Sequence, residues 1–284
     1  MILVTGATGM FGSRIVDELV GRGRAVRALV RDRDKAQRLL PPEAGLAVGD
    51  MDDEASLAAS LSGVRTVFLV SPMDEHVLTR ESAVIRVAAE AGVHRIVKLY
   101  GCVRHDGDPL DQLHQASIAV LRASGLEWSL VSPNSVMETS LLPHAESVRG
   151  SGELWACAGG GRVGFVAADD VARAAAAVLT SEGPSGTNYE ITGPEALSMT
   201  DIAACAAETL GRPVVYRDVP EEDFRAVLTG SGLSPQEAEF GVILHMRAWR
   251  EGKAELVTGT YESLTGAAPT SVGTWFRRHR GLFG

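Results

Sequence analysis

The chain has 284 residues, of which 45% are hydrophobic and 22% charged, a composition typical of a globular protein with a sizeable core. It carries 27 basic and 36 acidic side chains, giving a formal charge of −9. This acidic balance argues against a nucleic-acid binder, which needs a basic face, and against a polybasic membrane anchor.

The three cysteines, Cys102, Cys157 and Cys205, are too few and too widely spaced to indicate a disulfide framework. The first residues resemble a strand and not a basic, apolar leader, and no apolar run approaches the ~18 residues of a membrane helix. We therefore expect a cytoplasmic protein that contacts neither nucleic acid nor membrane.

Short apolar runs alternate with helical segments through the first half of the chain. The predicted strands lie at 2–4, 25–30, 46–48, 66–70, 95–99 and 128–131. Between them, helical patterns are centred near 15–20, 54–61, 74–91 and 110–123. This alternation is typical of a parallel sheet with crossover helices, and unbroken apolar runs indicate strands covered on both faces. The sequence thus predicts an α/β fold with a Rossmann-type doubly wound parallel sheet.

The pattern changes after Pro133. We expect an irregular segment at 135–161, and then a strand, a helix and a strand at 163–166, 169–179 and 187–191. Ser198 and Asp201 predict a capped helix that ends near Gly211, and the remainder is expected to be mostly helical. We assign 1–134 and 163–192 to the nucleotide-binding domain. The segments 135–162 and 193–284 form a smaller, mostly helical part that covers the substrate.

A glycine motif lies where the first predicted strand turns into the first helix. Residues 5–12 read TGATGMFG, with the spacing G-x-x-G-x-x-G instead of the G-x-G-x-x-G of classical dehydrogenases. Glycines here allow a tight turn, close approach to a pyrophosphate and close packing of helix on strand. The helix N-terminus then offers N–H groups to phosphates. The alternative is a purely structural turn, but the position within a βαβ pattern predicts dinucleotide binding.

The residue after the second strand indicates which dinucleotide binds. Arg31 stands about where NAD enzymes place an acid for the ribose 2′-hydroxyl, and a guanidinium there can bind a 2′-phosphate. Arg31 and Arg33 could instead belong to a solvated charged loop, and Asp32 leaves NAD open. We expect NADPH, because 22–38 holds seven basic residues against two acidic ones.

Other cofactor contacts are expected at the carboxyl ends of the strands. Asp50 could reach the adenine amine or cap the following helix, and Ser71 is expected near the nicotinamide ribose. The full set of expected cofactor residues is Gly6, Thr8, Gly9, Met10, Phe11, Gly12, Arg31, Asp50, Met51, Ser71, Pro72 and Pro133.

Collinear stretches along most of the chain resemble the NmrA-like branch of the atypical short-chain dehydrogenase/reductase superfamily, including triphenylmethane reductases and NADPH:quinone oxidoreductases. The stretches are 4–9, 30–31, 49–50, 67–72, 91–97, 123–128, 133–134, 169–172 and 191–198. The resemblance implies a Rossmann domain with an NADP(H) preference. The superfamily's Tyr-x-x-x-Lys is absent, and of the branch's His-x-x-x-Glu only His114 remains, with Ile118 in place of the acid. Tyr100 and Ser132 replace the Ser and Arg that relatives usually carry.

We expect Tyr100, His114 and Ser71 to supply the donors that polarise a substrate, although His114 could be a packing residue and Tyr100 an aromatic pocket wall. Asn134, Met137, Leu141 and Trp155 are expected to line an apolar substrate pocket, unless they belong to the core. Cys102, His105, Asp106 and Asp108 fit no zinc spacing, so we expect no metal.

The leading hypothesis is an NADPH-dependent reductase, monomeric or homodimeric, that transfers a hydride to a small, apolar, electrophilic substrate such as a quinone, enone or imine-like compound. One alternative is a non-catalytic NADP(H)-binding redox sensor that regulates a partner. Another is a biosynthetic enzyme that uses the same pocket for a non-redox step.

Overall fold

The computed structural model describes residues 1–284, apart from the side chain of Leu110. Strands and helices alternate up to residue 133. These elements are β1 (Ile2–Val4), α1 (Met10–Gly21), β2 (Val26–Val30), α2 (Arg33–Leu39), β3 (Gly45–Val48), α3 (Glu54–Ser60), β4 (Thr66–Leu69), α4 (Val77–Glu90), β5 (Arg95–Leu99), α5 (Pro109–Ala123) and β6 (Glu127–Pro133).

The rest of the chain is richer in helix. Its elements are α6 (Met137–Ser140), a 3-10 turn (Leu142–His144), α7 (Ala145–Ser151), β7 (Glu153–Ala156), β8 (Arg162–Val163), α8 (Ala168–Thr180), β9 (Thr187–Ile191), β10 (Leu197–Ser198), α9 (Met199–Leu210), β11 (Val215–Asp218), α10 (Glu221–Gly230), α11 (Pro235–Ala238), a π-helix (Glu239–Ile243), α12 (Leu244–Arg250), α13 (Thr260–Thr265) and α14 (Val272–Phe283).

The central sheet has the strand order β3-β2-β1-β4-β5-β6-β9. Strand β1 pairs in parallel with both β2 and β4, so that Leu3 lies opposite Arg27 on one side and Val67 on the other. The chain order reverses between β1 and β4, and ligands of open α/β sheets bind outside the carboxyl ends of strands at such a reversal. The predicted Rossmann-type doubly wound sheet is therefore confirmed.

The described chain divides into two compact units. The first comprises 1–100, 107–132 and 168–189, and the second comprises 101–106, 133–167 and 190–284. The predicted boundaries at 134 and 192 lie two and three residues from the ends of segments of the first unit. The predicted nucleotide-binding domain also included 101–106 and 163–167, which belong to the second unit.

The core of the first unit explains the unbroken apolar runs of its strands. Leu3, Val67 and Ile96 are fully buried, and the helices that cover the sheet add Leu57 and Val84 to the same cluster. Helix α1 packs against the alanine-rich α8. Burial on both faces favours the continuous Val, Ile and Leu runs of a parallel sheet over strict alternation.

The second unit corrects one sequence prediction and adds a strand to another. The segment 135–161, expected to be irregular, contains α6, α7 and β7. The remainder is mostly helical, as predicted, but it also contains the short strand β11. Strands β7 and β11 pair in parallel, with Trp155 opposite Arg217. Because the partner strands lie about sixty residues apart in sequence, no local pattern marks them.

Two other predicted elements, a strand and a capped helix, can be compared with the structure. The strand expected at 163–166 is limited to β8, with only an isolated bridge from Val166 to Val136 beyond it. The capped helix at Ser198 is confirmed, because the side chains of Ser198 and Asp201 each accept a backbone N–H of the other. None of the described helices is long and apolar enough to cross a lipid bilayer.

Candidate functional site

A cavity of about 410 Å³ opens at the carboxyl ends of strands β1 to β4 in the first unit. Its walls come from the turn after β1 and from the ends of the neighbouring strands. The lining residues are 6–12, 29–31, Lys35, 49–52, 70–72 and Arg80. The expected cofactor residues in the cavity wall are Gly6, Thr8, Gly9, Met10, Phe11, Gly12, Arg31, Asp50, Met51, Ser71 and Pro72. Pro133 lies in the second unit.

Two glycines of the motif are required by their surroundings. Gly6 has φ +54°, a conformation that side chains rarely adopt, and a Cβ there would lie 3.0 Å from Val70 Cγ1. A Cβ at Gly12 would lie 2.2 Å from the carbonyl oxygen of Gly6, which is closer than atoms can approach. The turn can therefore fold back beneath the start of α1 only with glycine at both positions.

The N-terminus of α1 is open toward the cavity. Gly9 leaves it without a side-chain cap, and its first turn holds no acidic residue. The first N–H groups of a helix have no partner within the helix and carry partial positive charge. With Met10, Phe11 and Gly12 in the cavity wall, this end of α1 suits a phosphate group.

A threonine next to the motif joins the two strands at the reversal point. The Thr5 hydroxyl donates to the Val70 carbonyl oxygen at 2.7 Å and accepts from the Val70 N–H at 2.9 Å. Thr5 is fully buried. The bonds fix the end of β4 relative to the glycine turn, a role that sequence reasoning did not assign to it.

The cavity wall contains two cations besides the expected Arg31, and the first of them is Lys35. Both Arg31 and Lys35 line the cavity, and Lys35 lies four residues further on in α2. The carboxylate of Asp32 accepts the backbone N–H of Lys35 at 2.9 Å and so serves as the N-cap of α2. Asp32, the acid that kept NAD possible as the cofactor, thus caps α2, whereas Arg31 and Lys35 line the cavity.

Arg80 is a third cation in the wall, and two carboxylates hold it. Its Nη1 donates to both oxygens of Asp74 at 2.7 Å, and its Nε donates to Asp52 at 3.2 Å. Burial raises the pKa of Asp74, but the Arg80 guanidinium, together with the hydrogen bond from the His76 N–H, holds the pKa below its usual value. Arg80 therefore ties the loop after β3 to the loop after β4. The sequence did not indicate Arg80, because it lies within α4 and not at the carboxyl end of a strand, where cofactor contacts were expected.

The sequence left Asp50 with two roles, and the structure excludes one. The N-cap of α3 is Asp53, which accepts the Ala55 N–H, so the alternative in which Asp50 caps this helix is wrong. Asp50 instead accepts the Asp52 N–H at 3.1 Å, and its own N–H donates to Ser56. These bonds shape the loop that borders the cavity.

Tyr100 and His114 are brought together. Their rings meet edge to face with centroids 5.3 Å apart, and His114 is buried. The Tyr100 hydroxyl donates to Asp111 at 3.2 Å and accepts from the Gln115 amide at 3.0 Å. Ser71, the third residue expected to donate to a substrate, donates its hydroxyl to the Glu81 carboxylate.

The positions at which the chain departs from its relatives have structural roles. Ile118 is 1% exposed and packs in the core of the first unit, so that position supplies no acid. Ser132 donates to the Asn188 side chain at 2.6 Å.

The expected substrate residues lie in the second unit. Met137 and Leu141 are fully buried in its core. The Asn134 amide donates to the Ala254 carbonyl oxygen, and its oxygen accepts the Ser135 N–H. Trp155 is 39% exposed, with its indole N–H donated to Glu153. Among the described residues, no cluster of three His, Cys, Asp or Glu side chains could hold a metal ion.

Comparison with known proteins gives concordant results. The sequence model of the NmrA-like family matches residues 1–256. The chain is 32% identical to the NAD(P)H azoreductase of Xenophilus azovorans over all of this chain and 99% of that protein. It is similar to the Escherichia coli NADPH-dependent quinone oxidoreductase in complex with NADPH, with a TM-score of 0.90 and 28% identity over 99% of this chain and 100% of that one.

The Citrobacter sp. triphenylmethane reductase complexed with NADP(H) shares the fold. It has a TM-score of 0.89 at 24% identity, over 98% of this chain and 99% of that one.

Proposed function

This chain belongs to the NmrA-like family and is an NAD(P)H-dependent oxidoreductase, and on that premise we propose that it uses NADPH to reduce a small, apolar, electron-poor compound. The acceptor class is a quinone, an enone or an imine-like compound, and the azoreductase relative adds the azo bond to this series. These acceptors share an electrophilic double bond that takes up a hydride.

The observation that supports NADPH most strongly is the set of groups around the first unit's cavity. An uncapped helix N-terminus meets a glycine turn on one side, and Arg31 and Lys35 lie on the other. The first arrangement suits a pyrophosphate, and the second suits a phosphate at the ribose 2′ position. The residues present thus fit the cofactor that the family implies.

When bound, NADPH supplies the hydride. The chain's own residues would position the donor and the acceptor. The α1 N-terminus would hold the pyrophosphate, Arg31 and Lys35 the 2′-phosphate, and Arg80 would keep the two bordering loops in place. Tyr100 and His114 remain the candidate donors to the acceptor's heteroatom, and Tyr100 would have to exchange Asp111 for the substrate. A strongly electrophilic acceptor requires little acid catalysis, which makes the missing Tyr-x-x-x-Lys tolerable.

Steady-state oxidation of NADPH and NADH, measured against a panel of quinones, enones, imines and azo dyes, tests this function. We expect turnover with at least one class and a kcat/KM at least about tenfold higher with NADPH than with NADH. NADPH binding without turnover of any panel member would contradict the proposal and favour the redox sensor. Product formation without NADPH consumption would favour the non-redox alternative.

A further inference from the structure

A buried charged network lies behind the cavity wall of the first unit. Glu81 on α4 and Lys98 on β5 are 1% and 0% exposed, and Lys98 Nζ lies 2.5 Å from Glu81 Oε2. The hydroxyl of Ser117, also fully buried, donates to the same oxygen. The hydroxyl of Ser71 donates to the other oxygen, Oε1, at 3.0 Å. Of these four residues, only Ser71 lines the cavity.

The donors that converge on Glu81 indicate its charge state. An ionised carboxylate only accepts hydrogen bonds, whereas a protonated one must donate one. A lysine ammonium carries only donors, so the contact from Lys98 Nζ makes Glu81 the acceptor, and an ionised carboxylate can only accept from the hydroxyls of Ser71 and Ser117 as well. Burial lowers the pKa of Lys98, and the carboxylate of Glu81 opposes that shift. The arrangement is that of a buried ion pair with hydrogen bonds to its remaining lone pairs, the form in which such pairs are tolerated.

This network fixes the polarity of the Ser71 hydroxyl. A serine hydroxyl has one hydrogen and two acceptor lone pairs, and here the hydrogen is donated to Glu81. The oxygen therefore turns lone pairs, and no hydrogen, toward a ligand in the cavity. The expectation that Ser71 donates to a substrate carbonyl does not agree with this geometry.

We propose that Ser71 is a hydrogen-bond acceptor for an N–H or O–H group on the nicotinamide half of NADPH, and that Glu81 and Lys98 are positioning residues that impose this polarity. The inference rests on the proposed function. Ser71 follows β4, on the opposite side of the reversal point from β2 and its cations. A dinucleotide that lies across this point places its two halves on opposite sides of it. The donor is either the carboxamide NH2 group or a hydroxyl of the nicotinamide ribose.

Isothermal titration calorimetry with three ligands tests the proposal without reference to turnover. The ligands are NADPH, its 3-acetylpyridine analogue, which lacks the carboxamide N–H groups, and adenosine 2′,5′-bisphosphate, which lacks the nicotinamide half. Ser71→Ala is expected to weaken NADPH binding by about fivefold, the effect of one net hydrogen bond, and to leave the bisphosphate unchanged. Ser71→Thr keeps the hydroxyl and is expected to restore most of the loss.

Ser117→Ala is the matched control. It makes the same chemical change at the same carboxylate, but at a residue outside the cavity wall. We expect it to affect the binding of NADPH and of the bisphosphate by the same factor. The double variant Glu81→Gln/Lys98→Met removes the charges while keeping the volume and leaves no unpaired buried charge. Ser71 can then rotate, so Ser71→Ala is expected to cost less in that background than in the wild type.

The outcomes separate this inference from the proposed function. Failure of the wild-type chain to bind NADPH would overturn the proposed function, and this inference with it. NADPH binding that Ser71→Ala leaves unchanged, or weakens equally with the bisphosphate, would overturn this inference alone. If the Ser71→Ala effect disappears with the acetylpyridine analogue, the donor is the carboxamide, and if it persists, the donor is a ribose hydroxyl. The single serine variants decide the question even where the double variant fails to fold.

Discussion

Removal of the cations at the end of β2 is the sharpest perturbation of cofactor choice. Arg31 and Lys35 both line the cavity, and neither forms an ion pair with any side chain that the structure describes. A hydrogen bond to a charged group contributes about 1.5–3 kcal/mol when formed in full. Both side chains are exposed, so solvent screening places each contribution at the lower end of this range.

We therefore expect Arg31→Ala and Lys35→Ala each to raise the Kd of NADPH by about tenfold and that of NADH by less than about twofold. The double variant should lose most of the discrimination between the two cofactors. Fluorescence titration of both cofactors at low and high salt measures this, and salt should reduce the NADPH effect because exposed charges are screened.

Arg24→Ala is the control, because Arg24 precedes β2 at the strand's amino end, away from the cavity. It removes the same charge from the same basic segment. A loss of NADPH affinity in Arg24→Ala as large as in Arg31→Ala would refute a localised 2′-phosphate site. Equal losses of NADPH and NADH affinity in Arg31→Ala would refute it as well.

Three further predictions concern stability. Gly12→Ala places a Cβ 2.2 Å from the Gly6 carbonyl oxygen, so urea unfolding should show a loss of about 2 kcal/mol, whereas Gly21→Ala on the same helix, with open space around it, should be neutral or stabilising. Lys98→Met alone leaves Glu81 buried without its cation and should cost about 3 kcal/mol, most of which Glu81→Gln/Lys98→Met should restore; an equal loss in both variants would contradict the ion pair. Burial lowers the pKa of His144 from 6.5 to about 4, so the folded state binds fewer protons than the unfolded state between these values and stability should fall as pH drops from 6.5 toward 4. The unfolding free energy of His144→Gln should lack this component, and identical pH profiles for variant and wild type would show that His144 makes no such contribution.

Local sequence was sufficient for the parts of the fold that depend on local patterns. The strands at 2–4, 95–99 and 187–191 have the predicted bounds. The first of them is an unbroken apolar run, which marks a strand covered on both faces. The glycine motif could also be predicted from local sequence, because glycine is the residue that a tight turn of this kind requires.

Features that depend on distant residues could not be predicted in this way. Arg80 reaches the cavity from α4, and β7 needs a partner strand about sixty residues away. Lys98 did carry a signal: a lysine within the apolar run 95–99, in a strand covered on both faces, requires a buried partner. Which residue supplies that partner follows only from the packing of α4 against the sheet.

The central claim is that the cavity binds NADPH and that the chain transfers its hydride to an electrophilic double bond, which in an enone means to carbon. A single-turnover reaction with an enone acceptor and NADPH that carries two deuterium atoms at nicotinamide C4 tests it most directly. We expect one deuterium on carbon in the reduced product for each NADPH consumed, with the balancing proton taken from solvent. Reduced product without deuterium on carbon, or NADPH consumption without reduced product, would contradict the claim.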